Sequence, residues 1–156
     1  MKDSKNGFMT KVWGPSMWLA MHMITLNFNE SKTCKRKTKM FFKSLTGVLP
    51  CKKCRENYTK IISTGPLKLD DKVLKNRKTL SMWLFKVHNK VQQDIFEKTG
   101  MLKNKPVYKD TEKNYRVAMG FYEKFRANCN SKDYGCVKSN KGKSLKAEIK
   151  IKVNCS

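Results

Sequence analysis

The chain of 156 residues has no run of 18 apolar residues, so none of its helices is expected to cross a membrane. Its first residues, Met1-Lys2-Asp3-Ser4-Lys5-Asn6, hold no apolar signal core, and the expected starting compartment is the cytosol. There is no internal repeat and no heptad run, which argues against repeat and coiled-coil architectures. Acidic residues are scarce: 12 Asp and Glu stand against 35 Lys and Arg, a formal net charge of +23. A field of that sign favours anionic partners such as nucleic acid, an acidic lipid surface or an acidic protein. The lysines are dispersed rather than interleaved with aromatic residues, however. They read first as a solubilising surface, and a nucleic-acid role is not expected.

Hydrophobic residues make up 39%, with 8 Phe, 9 Met, 5 Tyr and 3 Trp, enough for one core and not for two. One domain over 11–128 is expected, after a short extension 1–10 and before a basic, cysteine-containing tail 129–156. Six cysteines (Cys34, Cys51, Cys54, Cys129, Cys136, Cys155) are many for a chain without an export signal. Redox or metal chemistry is then a better reading than a purely structural disulfide framework.

The periodicity predicts an all-α bundle of four to five helices. The first starts near Trp13 to Ser16 and ends around Asn27 to Asn29, with Met17, Met21, Ile24 and Phe28 in one stripe. The second runs from about Lys35 to Leu49 with Met40, Phe41, Leu45 and Val48 inward, and Pro50 stops it. A third covers Cys51 to Ile62, followed by a turn at Thr64-Gly65-Pro66 and a polar connection. The fourth, about Thr79 to Glu97, carries Leu80, Leu84, Val87, Val91 and Ile95, and the fifth covers about Thr111 to Ala127. Residues 103–109 read as a loop around Pro106. From Ser131 to Ser144 the chain reads as linker, and Leu145 to Val153 alternates like a strand with no partner.

Three segments carry chemistry. Pro50-Cys51-Lys52-Lys53-Cys54-Arg55 is a dithiol among cations at the start of a helix, where positive charge stabilises a thiolate. The spacing alone allows redox exchange, a structural clip or a share in a zinc site. Zinc needs about four ligands. The candidates, His22 and His88 or Cys129 and Cys136, supply no second tight pair, since six residues separate Cys129 from Cys136. The second segment pairs Trp18 with His22, four residues on and therefore on the same helical face. The third, Trp83 to Val91, holds His88-Asn89 beside an apolar stripe. Taken singly, the last two read as core and as a polar helix rim.

Together, Trp13-Gly14…Trp18…His22, Leu49-Pro50-Cys51…Cys54 and Trp83…His88-Asn89…Val91 resemble the Erv/ALR family of flavin-linked sulfhydryl oxidases, strongly over about 12–92 and weakly to 128. The resemblance implies a four-helix bundle with a short fifth helix and FAD at its mouth. It implies flavin contacts from Gly14, Trp18, His22, Cys54, His88 and Asn89, with Lys105 and Tyr115 as candidates for the adenine and phosphate end. It implies a division of labour: Cys51 exchanges with incoming dithiols, and Cys54, kept ionised by Arg55 and the helix N-terminus, reduces the flavin, which passes electrons to O2 to give H2O2. Protein dithiols, such as virion proteins or a thioredoxin-like carrier, are the implied substrates, and a homodimer the implied assembly. The composition is similar to that of members carried by large DNA viruses, which implies the host cytoplasm or the virion. Cys129 and Cys136 are expected to form a structural or a shuttle disulfide. This chain departs from the family pattern at Gln92, where an Asn is usual, and at Phe85, near which many members carry a further cysteine. The alternative, a basic zinc- or nucleic-acid-binding helical module, leaves the Trp and His blocks unexplained.

Overall fold

A computed structural model describes residues 7–100 and 109–127. Every helix or strand among them is an α-helix or a short 3-10 turn: α1 Thr10–Leu26, α2 Lys32–Val48, α3 Lys52–Ser63, a 3-10 turn Gly65–Leu67, α4 Arg77–Thr99 and α5 Glu112–Glu123. The all-α expectation holds. The expected loop around Pro106, Lys105, the linker, the strand-like 145–153 and Cys129, Cys136 and Cys155 lie outside the described residues.

Local chemistry sets the helix ends. Ser31 caps α2 by accepting the Cys34 N–H, and Thr111 caps α5 by accepting that of Asn114. Asn76 and Thr79 form a reciprocal capping box on α4, which Gly100 closes in the left-handed region at φ 65°. At the other end of the dithiol turn, Pro50 and Cys51 separate α2 from α3, and Cys51 itself caps α3. α1 begins at Thr10, three residues before Trp13, with Pro15 inside it. It has no side-chain cap. Its start is fixed instead by Phe8, whose N–H donates to the Pro50 carbonyl at 2.7 Å and whose carbonyl accepts Trp13 Nε1–H at 3.2 Å.

α1 packs on α4 and α5, and α3 lies against both α2 and α4. The main core joins Met21 of α1, Phe28 just beyond its end, Phe42 and Leu45 of α2, Tyr58, Ile61 and Ile62 of α3, and Leu80, Trp83, Leu84 and Val87 of α4. Four expectations are corrected here. Met40 and Val48 are exposed, because the buried line on α2 runs Thr38, Phe42, Leu45, Leu49. Ile24 and Ile95 are also exposed. Nor is the connection before α4 merely polar: Leu69 and Leu74 plug the core, and Trp83 Nε1–H donates to the Leu67 carbonyl at 2.8 Å. Finally, α5 stops at Glu123 rather than near Ala127; just beyond it, Arg126 reaches the Leu26 carbonyl at 3.2 Å.

Candidate functional site

A cleft of about 630 Å³ opens between α1, the end of α2, α3 and the C-terminal half of α4, a size typical of small-molecule sites. α1 contributes Thr10, Trp13, Gly14, Met17, Trp18 and Met21. These follow at the spacings of one helical face, so the face is a property of the sequence. Gly14 on this face is regular helix, and a Cβ built on it meets nothing within 4 Å. Glycine inside a helix is a cost of roughly 0.5–1 kcal/mol relative to alanine, offset here in part because a Cβ before Pro15 would be crowded by the proline ring. The bare backbone at Gly14 also leaves a cradle that a side chain would fill.

The opposite wall holds Cys54, Lys53, Asn57, Tyr58 and Lys60 of α3. Cys51 and Cys54 are joined in a disulfide with Cα atoms 5.2 Å apart. The two sulfurs are not equivalent. Cys54 lines the cleft and Cys51 does not. Cys51 sits in extended backbone and its Sγ accepts the Cys54 N–H at 3.2 Å. The turn ahead of it is braced twice, by Cys51 N–H on the Leu49 carbonyl at 2.8 Å and by Arg55 Nη1 on the same oxygen at 2.5 Å. Arg55, expected to stabilise the Cys54 thiolate, thus anchors its guanidinium on the backbone of the turn that carries the dithiol, and the helix N-terminus adds a second positive field there. Tyr58 donates its hydroxyl proton to the Phe42 carbonyl at 3.1 Å, and burial pushes its pKa up.

Behind Trp18 lies an aromatic cluster. The Trp18 ring stacks on His88 at 4.0 Å and 9°, and the His22 ring stacks on Tyr122 at 4.7 Å and 18°. His22 Nε2 and His88 Nδ1 are 3.2 Å apart, and Gln92 Nε2 is 3.3 Å from His88 Nε2. Burial, followed by the neighbouring His88, lowers the His22 pKa to about 3, and burial lowers that of His88 to about 4. Both rings are therefore neutral near pH 7. The hydrogen bonds then order the protons. An amide N–H of Gln92 donates to His88 Nε2, so the His88 proton is on Nδ1 and donates to His22 Nε2. The His22 proton is left on Nδ1, which is buried and has no hydrogen-bond partner among the described residues.

Of the residues expected at the site, Gly14, Trp18 and Cys54 line the cleft. His22 and His88 are gathered behind Trp18. Asn89 donates Nδ2–H to Asp110 Oδ1 at 2.7 Å. Tyr115 is elsewhere: its hydroxyl lies 2.7 Å from Ser81 Oγ, in a second core cluster with Leu26, Phe85 and Met119. Ser81 Oγ donates to the Arg77 carbonyl at 2.8 Å, so Tyr115 is the donor to Ser81. Lys105, Cys129 and Cys136 are outside the described residues. Cys34 is a free, half-buried thiol whose Sγ is 3.8 Å from Thr38 Oγ1. Sequence reasoning did not single out Gln92 as part of the cluster, although its place four residues after His88 was a usable signal. It also missed Tyr122 as the stacking partner of His22. Among the described residues no three His, Cys, Asp or Glu side chains gather as a metal site, and no helix is long and apolar enough to cross a membrane.

The model of the Erv1 / Alr family matches residues 15–116, from within α1 to the first turn of α5. A protein of Acanthamoeba polyphaga mimivirus, described by its name as a probable FAD-linked sulfhydryl oxidase, is 37% identical over 81 residues, 51% of this chain and 55% of that protein. A protein of Invertebrate iridescent virus 3 with a like description is 28% identical over 83 residues, 52% of this chain and 54% of that protein. The chain spans about half the length of the curated relatives it matches.

Proposed function

The chain belongs to the Erv1/Alr family, and on that premise we propose that it is an FAD-dependent thiol oxidase that makes disulfide bonds in protein clients. The observation that carries the reading is the inequality of the two sulfurs: one disulfide joins a cleft-lining Cys54 to a Cys51 outside the cleft.

A client thiolate attacks Cys51 Sγ. The Cys51–Cys54 bond breaks, a client–Cys51 disulfide forms, and Cys54 leaves as a thiolate. That negative charge develops in the first turn of α3, where unpaired backbone N–H groups and the helix dipole favour it. The client's second thiolate then attacks its own sulfur in the mixed disulfide, closing the client disulfide and freeing Cys51. Two electrons and two protons have left the client, and Cys51 and Cys54 hold the electrons as reduced sulfur.

The cleft fits a flavin by its own chemistry. The bare backbone at Gly14 admits a flat ring, and Met17 and Trp18 give it apolar walls. Lys53, Lys60 and Lys98 suit a pyrophosphate. FAD, when bound, supplies a two-electron acceptor beside Cys54 that delivers the pair to O2 as H2O2. The viral origin of the two relatives favours clients among virion proteins, met in the host cytoplasm or in the particle. Exposed Ile24, Val117 and Phe121 are available to a homodimer.

The purified protein should be yellow, with absorption near about 450 nm, and should consume oxygen in the presence of a dithiol. Cys54→Ser should abolish oxygen uptake while Cys34→Ser leaves it intact. A colourless protein, or a Cys54→Ser variant with full activity, overturns the proposal.

A further inference from the structure

The redox cycle makes no use of the chain ahead of α1, yet that chain is built onto the dithiol turn. Phe8 N–H donates to the Pro50 carbonyl at 2.7 Å, and Trp13 Nε1–H holds the Phe8 carbonyl at 3.2 Å. Gly7 takes φ 76°, and a Cβ there would run into the Pro50 oxygen and stand 2.9 Å from Cys51 Cα. Only glycine lets the backbone lie this close. The strap so fixed holds its apolar side chains out into solvent. Phe8 is 73% exposed and Met9 59%, and Val12, one turn after Met9, is 71% exposed. Val48, two residues before Pro50, is exposed as well. None of these four lines the cleft. Around them Lys11 and Lys52 are exposed, with no carboxylate within ion-pair distance among the described residues.

We propose that this strap is the client-docking ledge of the oxidase. It takes a cysteine-bearing segment of a client protein that has an apolar residue beside the cysteine and acidic residues flanking it. This rests on the thiol-oxidase reading. Grouped apolar side chains in water mark an interaction surface, and these ride on a strap bonded to the turn that carries Cys51. Charge selects the occupant. Exposed Lys11 and Lys52 beside the apolar side chains carry no ion-pair partner among the described residues, and an acidic client is complementary to them. Holding the client on the ledge raises the effective concentration of its thiolate at Cys51 Sγ. A small dithiol such as dithiothreitol reaches the same sulfur without touching the ledge.

The test reads the first half-reaction in the full chain, with no flavin required. Reduction of Cys51–Cys54 is followed by acid quenching, thiol alkylation and mass spectrometry. The reductants are dithiothreitol, a two-cysteine peptide with flanking Phe, Leu and Asp, and a matched peptide with Ser and Lys in their place. The double variant Phe8→Ser with Val12→Ser keeps the strap's backbone hydrogen bonds. The wild type should favour the apolar acidic peptide by about tenfold, a preference that shrinks as salt rises, and the variant should lose about tenfold on that peptide while staying within about twofold on dithiothreitol. Equal rates for the two peptides, or an equal loss on dithiothreitol, overturns the ledge. So does a sedimentation change from dimer to monomer in the variant with the peptide rate unaltered, which would make the face an interface between copies. A protein that holds no flavin but shows the peptide preference would defeat the oxidase reading and leave the ledge standing.

Discussion

Gly14→Ala tests the cleft by separating folding from flavin binding. Gly14 is the fifth residue of α1, has regular helical geometry and directly precedes Pro15. Beyond its chain neighbours, an added methyl meets nothing within 4 Å. Alanine removes the conformational freedom that glycine gives the unfolded chain, a gain of up to about 1 kcal/mol, but its Cβ is crowded by the Pro15 ring, and the two effects oppose each other. The thermal midpoint is therefore expected to stay within about 4 °C of the wild type. The same methyl stands on the face of α1 that lines the cleft. A flat ring resting on the bare backbone is lifted away, and a gap of even about 1 Å forfeits up to half of each dispersion contact. A tenfold rise in the flavin dissociation constant, about 1.4 kcal/mol, is the expected cost.

Two measurements check this. Thermal unfolding by circular dichroism on flavin-free protein reads folding, and flavin titration by fluorescence quenching reads binding. A variant of near wild-type stability that binds flavin poorly is the expected result. A loss of more than about 2 kcal/mol in the flavin-free variant would mean that the space beside Gly14 is not open. A folded variant with unchanged flavin affinity would mean that the ring does not rest on α1, and the argument from Gly14 would fail.

Stability should fall as pH drops through the window between 6.5 and about 4.5, before carboxylates titrate. His22 and His88 have folded pKa values of about 3 and about 4 against 6.5 unfolded. The unfolded state therefore binds the extra protons; the stabilisation is full above pH 6.5 and is lost on acidification at up to about 1.4 kcal/mol per pH unit for each ring. Urea midpoints across that window should show the slope, and a His22→Gln variant should flatten it; an unchanged slope would refute the assignment. Gln92→Met removes the donor at His88 Nε2 while keeping much of the side-chain volume, so imidazole 15N shifts should move from one dominant His88 tautomer to a mixture. An unaltered tautomer would show that Gln92 does not set it. Ser81→Ala leaves the buried Tyr115 hydroxyl without its acceptor, and a loss of about 1–3 kcal/mol in chemical denaturation is expected, with little effect on flavin titration, since neither residue lines the cleft.

The helices were legible because their stripes are long, but their phases were legible only where apolar residues are confined to one face. Leu80, Leu84 and Val87 on α4 are such a case, and all three are buried. On α2, Met40, Phe41, Phe42, Leu45, Val48 and Leu49 cover more than half of the circumference, so periodicity alone leaves the rotation open. The Tyr58 hydroxyl bound to the Phe42 carbonyl and Trp83 packed edge-on to the Phe42 ring favour the observed rotation. These are contacts between distant residues, and no local pattern encodes them. The same reason hides the start of α1, which depends on a hydrogen bond from Phe8 to Pro50. It also hides the burial of Tyr115, whose partner is 34 positions away.

At the site, the residue types were legible and their partners were not. The family resemblance implies flavin contacts from both Trp18 and His88, and the structure stacks the two rings on each other. At 4.0 Å the two rings are in contact, so nothing fits between them unless the pair opens. An inserted ring would have to replace an aromatic contact worth about 0.5–1.5 kcal/mol, and the net gain from stacking would be small. A ring lying in the cleft meets Trp18 as wall and leaves the pair intact, because Trp18 lines the cleft and His88 does not. The histidine then acts through the indole. It backs the ring that forms the wall, is held there by His22 and Gln92, and stays neutral because it is buried. On that argument the Trp and His blocks are two layers of one site, with the ligand against the first and the proton order kept in the second.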